Sequence, residues 1–473
     1  MMDATTPTGD TLTGPRGYTF EGGYPTPETV QKAYDDADLN RAIQAYRFFY
    51  PTVSGAAIVK GNTEIGIIPN RTFGVLDTQP RHVILTPNSD TPYGPILLDL
   101  AEGPIVVELP PGPLIVVAID VNQRWVADMG LPVPDAGQGG RHLLLPPTWT
   151  GPVPLGYHLW RSTTNRLIVG VRALPVDGDV KRAMDRIATI KVHPLNPPAS
   201  WTEPNWVNLT ERPQDTTPVK WETNLQFWQV LHEVIDAEPP FEDYRTYYGE
   251  LAALGIIKGQ PFAPDARMRR ILEDAARVGN AQMRVQSFAD RRPDRIVWPD
   301  RKWEWVGLRP ESGDFTAASY VDLDARETWF YQAIGASPAM FRRAAGAGSL
   351  YWLGLRDNTG AYLDGGKRYT LTVPQPVPGK LFWSVTVYDA ETRSEIATDQ
   401  GKAALRSLFE LRSTANFPQT ELRFGPTRPA GRNGDWIKTI PGKGWFVYFR
   451  IYGPEPRAFD RSWKPGDFEE VAA

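Results

Sequence analysis

Cysteine is absent from this 473-residue chain. Its absence excludes disulfides, thiol nucleophiles, thiolate zinc sites and iron–sulfur clusters together. Histidine is scarce, with 5 residues, too few for a His-rich metal centre. A basic surplus is lacking too. The 51 Lys and Arg are outnumbered by 55 Asp and Glu, for a net charge of −4, which argues against binding nucleic acid by bulk electrostatics. No run approaches the roughly 18 apolar residues of a transmembrane helix, so no membrane span is expected. The first twenty residues have neither the basic start nor the apolar stretch of a signal peptide. The expected setting is the cytoplasm, or the periplasm or exterior if an export signal has been removed.

Proline and glycine are plentiful, at 45 and 42 residues, well above a combined background of about 12%. With 16 Trp, 18 Tyr and 19 Phe, the composition points to a turn-rich β protein with aromatic cores or clefts. The tryptophans are expected to lie mainly in cores.

Residues 1–27 are polar and rich in Gly, Pro and Thr, and read as a disordered or draped tail. Thr26-Pro27-Glu28 then opens a helix with a capping residue, a proline at the first turn and an acid, and Pro51 is expected to stop it. Between about 53 and 175, short apolar runs at 82–85, 95–100, 104–110, 113–120, 141–146, 156–161 and 166–174 alternate with Pro/Gly punctuation, as in a β-sandwich or barrel. A short helix is expected at 179–190 and a Pro-rich link at 193–218. Residues 222–290 carry apolar positions at three- and four-residue spacing, predicting a helical segment packed on at least one sandwich, and a further helix is expected near 324–343. Strands return at 349–357, 367–374, 381–389, 421–426 and 444–454. The expected division is 1–27, 28–205 (helix plus sandwich), 206–300 (link and helical middle) and 301–473 (second sandwich).

The densest polar cluster is Pro87-Asn88-Ser89-Asp90-Thr91-Pro92-Tyr93. It reads either as an Asx turn leading into a strand or as a site, with Asp90 as an acid–base group. Asp99 and Asp120 lie on or end apolar strands. If those strands pair, the two acids could act together as paired carboxylates. Arg172, within a strand, is a buried cation expected to pair with Asp99 or Asp120. Arg161-Ser162-Thr163-Thr164-Asn165 follows Trp160 and suits an anion or sugar, or a plain hairpin. In Phe382–Asp389, Trp383, Val385 and Val387 share one face while Phe382, Ser384, Thr386 and Tyr388 share the other. The second face suits a pocket wall, as do Arg450 and Tyr452 on the last strand. Metal chemistry through Asp with His82 or His158 is a weaker alternative. No nucleophile elbow, phosphate loop, GxGxxG turn or paired-His zinc motif occurs.

Taken in order, these segments resemble a bacterial two-domain family of unknown function with an N-terminal DUF1254 and a C-terminal DUF1214 domain. The N-terminal marks are Pro87-Asn88-Ser89-Asp90-Thr91-Pro92-Tyr93, Leu98-Asp99-Leu100, Asp120, the 146–151 Pro-x-x-Trp-x-Gly segment, and Arg161 to Asn165. The C-terminal marks are Asp357 to Gly365, Phe382 to Asp389, and Arg450 to Pro454. Gly112-Pro113-Leu114 departs from the usual Gly-Arg-Tyr, and Thr163 stands where Pro is common. The resemblance implies a mainly β fold with α: an immunoglobulin-like β-sandwich, a helical middle segment and a C-terminal jelly-roll-like β-sandwich. It also implies an envelope or secreted setting, and it implies no reaction.

The functional expectation is a hydrolase acting on a small organic ester, lactone or saccharide in an interdomain cleft. Asp90, Asp99 and Asp120 would be catalytic. Asn88, Tyr93, Arg161, Asn165, Trp383, Tyr388, Arg450 and Tyr452 would hold the small-molecule ligand, with no cofactor and no resident metal. The alternative is a non-catalytic ligand-binding or envelope-structural protein, assembling as a homo-oligomer. Asp90 is expected to be partly buried and hydrogen-bonded, with Arg161 near the same end of the sandwich.

Overall fold

A computed structural model describes residues 12–13, 15–77, 79–131, 134–346, 348–429 and 435–471. Residues 1–11 of the expected tail lie outside the described residues. Leu12–Thr13, Thr19–Glu21 and Tyr24–Pro25 form a small antiparallel sheet. Helix and strand take near-equal shares, 27% and 28%, so the helical layer weighs as much as the sheets that the resemblance puts first.

The N-terminal sandwich stacks two four-stranded sheets. One runs in the order His158–Arg161, Gly140–Leu145, Ile105–Leu109, Lys191–Pro194; the other runs Tyr93–Asp99, Arg166–Ala173, Leu114–Asp120, Trp125–Gly130. Alternation directs Ile96, Leu98, Val116 and Val169 of the second sheet onto Val107 and Leu144 of the first. Leu97, Ile119 and Ile168 have the opposite parity, so they cover the outer face and form a separate apolar cluster with Ile58 and Leu76.

The C-terminal sandwich pairs a five-stranded sheet (Glu304–Trp305, Ser349–Gly354, Trp445–Pro454, Gly379–Asp389, Ala404–Arg406) with a four-stranded one (Trp436–Lys438, Gln419–Gly425, Arg368–Pro374, Glu469–Val471). Val385, Phe449, Trp352, Leu371, Leu422 and Phe424 fill the space between them. Strand Arg368–Pro374 alternates buried and partly exposed residues, whereas Gly379–Asp389 is buried on both faces from Phe382 onward. Its second face is covered by the N-terminal half, which places the site described below.

Thr26 caps the first helix by accepting from the Thr29 amide, and the helix runs Pro27–Glu64. Pro51 does not end it. An internal proline costs about 3 kcal/mol, and here burial of the helix on both sides of it offsets that cost. Phe48, Phe49 and Tyr50 pack against Gln226–Ala237, Arg245–Ala253 and Ala266–Phe288. Beyond Pro51 the helix threads beside the N-terminal sheet. A Cβ at Gly55 would lie 2.1 Å from the Val121 carbonyl oxygen, so only glycine permits that approach. The 222–290 segment thus packs on the long helix as one helical layer. The helix expected at 324–343 is two, Leu323–Gln332 and Pro338–Phe341. Gly335 between them has φ +64°, and its amide donates to Gln123 Oε1 at 2.8 Å. The run at 82–85 makes one bridge among the described residues, Val83 to Asp215. Trp228, Trp303 and Trp352 are among the largest fully buried side chains.

Candidate functional site

The 86–91 loop folds on itself before it meets anything else. Asn88 Oδ1 accepts from the amides of Asp90 and Thr91 at 2.9 and 3.0 Å and from the Thr91 hydroxyl at 3.1 Å. The Asn88 amide NH₂ donates to the Tyr93 hydroxyl at 2.7 Å. This is the Asx turn that the sequence suggests, and it turns the next side chains outward from their own domain.

They dock on the polar-aromatic face of the C-terminal sheet. Strand pairing sets Ser384 opposite Arg450 and Phe382 opposite Tyr452, so these groups share one face. Asp90 is fully buried, and its Oδ2 accepts from the Ser384 hydroxyl at 2.7 Å and the Tyr452 hydroxyl at 2.9 Å. Asp90 Oδ1 is buried without a partner. The Tyr388 hydroxyl donates to the Pro87 carbonyl. Arg450 donates to the Thr86 carbonyl at 3.2 Å and the Thr386 hydroxyl at 3.0 Å. Ser89 donates to Glu395 Oε1 at 2.7 Å. Burial pushes the Glu395 carboxyl up to about 8, against the pull of Ser89 and Arg450, and the nearby Asp90 charge adds to the rise.

Beside this junction lies a cavity of about 160 Å³. Its floor is the outer face of the N-terminal sheet: Tyr93, Val117, Ile119, Ile168, Gly170 and Arg172. The long helix contributes Ile58 and Asn62, and Gln214 and Thr216 line it as well. The C-terminal half closes it with Trp329, Ile334, Met340, Tyr351, Tyr448 and Arg450. Tyr448 is held by its bond to Gln332 Oε1 at 2.7 Å. Asn62 Oδ1 and Gln214 Oε1 are buried and have no hydrogen-bond donor.

Among the residues marked in the sequence, Asn88, Tyr93, Arg172 and Arg450 line the cavity. Asp90, Tyr388 and Tyr452 join Arg450 at the domain junction. The others lie elsewhere, because strand register separates them. Arg166 pairs with Asp99 and Leu167 with Asp120, while Arg172 pairs with Tyr93. Asp99 and Asp120 therefore sit at one end of the sheet, on strands that flank Arg166–Ala173 rather than pair with each other. Asp90 and Arg172 sit at the other end, roughly 20 Å away at about 3.3 Å per residue. Arg172 accordingly pairs with neither acid.

Asp99 Oδ1 accepts from the Ala101 amide. Asp120 is buried and accepts from the Thr163 hydroxyl and the Arg124 amide; burial raises it to about 6. Arg161 is exposed and donates to the carbonyls of Pro146 and Pro147, at the sandwich end opposite Asp90 rather than the same one. The Asn165 amide donates to Glu238 at 2.6 Å. Trp383 stacks on Phe449 at 5.5 Å in the C-terminal core. His82 is buried, and burial lowers its pKa; His158 lies against His142 at 5.0 Å. Among the described residues, no three His, Asp or Glu gather as a metal-binding group.

Sequence reading missed Glu395, Asn62, Gln214 and the cavity role of Arg172 with Gly170. One signal was present: Ile168, Gly170 and Arg172 alternate along an otherwise apolar strand, so a gap and a cation share one face.

The fold and junction describe a two-domain protein whose sandwich halves are joined through a polar loop beside an apolar cavity. Residues 71–194 match the family described as protein of unknown function DUF1254, and residues 348–456 match protein of unknown function DUF1214. The chain pairs an N-terminal DUF1254 domain with a C-terminal DUF1214 domain. It is similar in fold to the VPA0106 protein of Vibrio parahaemolyticus, with TM-score 0.56 and 17% identity over 92% of this chain and 100% of that one. A putative uncharacterized protein from Burkholderia cenocepacia aligns with TM-score 0.40 and 12% identity over 94% and 96% of the two chains. No curated protein matches the chain.

Proposed function

We propose that the chain binds a small, largely apolar organic molecule in the cavity between its two sandwich halves. The observation that carries this reading is the cavity itself. It is walled by Ile58, Ile119, Ile168, Trp329 and Ile334, with a few polar groups, Asn88, Tyr93, Arg172 and Arg450, at defined positions. That composition is typical of a ligand pocket. A saccharide fits it poorly, because each hydroxyl buried against Ile and Trp would lose its hydrogen bonds.

Hydrolysis of a small ester or lactone is the second reading. Its support is Glu395, a buried carboxyl raised by desolvation and by the nearby Asp90, and perturbed acids concentrate at functional sites. Neither lines the cavity, however, and the described lining residues include no Asp, Glu, His, Ser or Lys. Binding therefore stands first. A melting-temperature screen of small apolar compounds tests it, run on wild type and on Gly170→Leu. Compounds that raise the melting temperature of wild type alone support the cavity as the site. Equal shifts in both proteins would place binding elsewhere. An ester-hydrolysis screen in which wild type turns over substrate and a normally folded Asp90→Asn does not would bring the second reading forward.

A further inference from the structure

We infer that the occupant of this cavity is a small monocarboxylate with an apolar body, its carboxylate received by the guanidinium of Arg172. This rests on the ligand-site reading above and adds the charge and size of the ligand.

The charge follows from what surrounds Arg172. Its strand places it on the same face as Gly170 and Ile168, so it emerges into an apolar wall. Among the described residues no carboxylate forms an ion pair with it. Desolvation works against its charge, and the groups that favour it are the phenols of Tyr351, which also hydrogen-bonds it, Tyr93 and Tyr452. Asp99 and Asp120 are at the far end of the sheet. Asp90, at the junction, is held by Ser384 and Tyr452 and acts on the other cation, Arg450. Buried Arg393 and Arg295 pair with Glu222 at 2.7 Å and Glu304 at 2.8 Å, whereas half-buried Arg172 and buried Arg450, which both line the cavity, form no ion pair among the described residues. A guanidinium partly withdrawn from water beside an apolar wall gains from an anion that meets it there. Its planar fork matches a carboxylate through two parallel hydrogen bonds.

The size follows from the cavity. At about 160 Å³ it is close to the ~150 Å³ apolar cavity that holds benzene in another protein. The occupant is thus a ring or short branched chain plus its carboxylate. Gly170 is part of this fit: a Cβ there would meet only Val117, at 3.6 Å, so a side chain is sterically allowed and its absence leaves space. Asn62 Oδ1 and Gln214 Oε1, buried without donors, are a second sign that the site is completed by something other than the chain.

The test uses the full chain and calorimetric titration with benzoate and with the neutral benzyl alcohol. Wild type should bind benzoate at least about tenfold more tightly, the ratio a charge-assisted hydrogen bond provides. Arg172→Met should lose that preference while keeping benzyl alcohol, and Arg172→Lys should retain part of it. Should Arg172→Met not fold, the wild-type preference and Arg172→Lys still decide. Benzyl alcohol binding as tightly as benzoate to wild type would overturn the charge assignment and leave the ligand-site reading standing. So would benzoate binding unchanged in Arg172→Met. Binding of neither compound would overturn both.

Discussion

The hydroxyl of Tyr452 donates to Asp90 Oδ2 at 2.9 Å, joining residues 362 positions apart. Ser384 donates to the same oxygen at 2.7 Å from the neighbouring strand. An acid from the N-terminal half is thus buried in hydroxyls of the C-terminal half. The loop that carries it also forms part of the cavity wall, so domain docking and cavity shape are one structural event.

That coupling is measurable. Asp90→Ala should cost about 3–5 kcal/mol, the range for breaking a buried charged contact. Asp90→Asn keeps an oxygen for both hydroxyls and should cost less, about 1–3 kcal/mol. Asp90→Asn combined with Tyr452→Phe should be non-additive by at least about 0.5 kcal/mol in urea denaturation. Additive effects would mean that the two side chains do not interact.

Glu395 gives the junction a pH signature. Its carboxyl titrates at about 8 in the fold, against an ordinary value of 4.5. Between those values the folded chain holds a proton that the unfolded chain has released, so stability falls as pH rises from about 4.5 to 8. Below that window the group contributes nothing, and above it the loss is complete. Melting temperatures of wild type and Glu395→Gln, measured from pH 5 to 9, should diverge, with wild type declining relative to the variant. Parallel curves would contradict the buried, protonated state.

The long helix depends on a close backbone approach. Gly55→Ala would place a Cβ 2.1 Å from the Val121 carbonyl oxygen, and backbone cannot swing aside as a side chain can. The expected loss is about 1–3 kcal/mol, as for overpacking, read by chemical denaturation. Gly249→Ala, where nothing lies within 4 Å of the added atom, is the control and should be neutral or stabilising.

Gly170 should behave in the opposite way to Gly55. Glycine within a strand costs roughly 0.5–1 kcal/mol relative to alanine, and the added Cβ makes only an ordinary contact with Val117. Gly170→Ala should therefore raise the melting temperature while weakening any ligand bound in the cavity. A variant that is both more stable and unimpaired in binding would remove Gly170 from the site.

Much of the fold was legible because its signals are local. Pro/Gly punctuation marked most strands, and Thr26-Pro27-Glu28 marked the first helix. The alternation of Phe382, Ser384, Thr386 and Tyr388 identified the face that now meets Asp90. Pro51 misled because propensity was weighed without the packing of Phe48, Phe49 and Tyr50. Asp99, Asp120 and Arg172 misled because pairing partners depend on register. Strand Arg166–Ala173 inserts between the strands of the two acids and carries its arginine to the opposite end. Glu395 gave no signal, since the Ser89 hydroxyl that bonds it lies 306 positions away, and Asn62 reads as one more polar residue of a helix until Gln214 meets it across the cavity.

The central claim is that the cavity between the halves is a ligand site. The most direct measurement is the anomalous diffraction of a crystal of the full chain soaked with bromobenzene. The account predicts a bromine peak among Ile119, Ile168, Trp329 and Ile334, lost in Gly170→Leu. Bromine peaks only on the surface, with the cavity vacant in wild type, would contradict it.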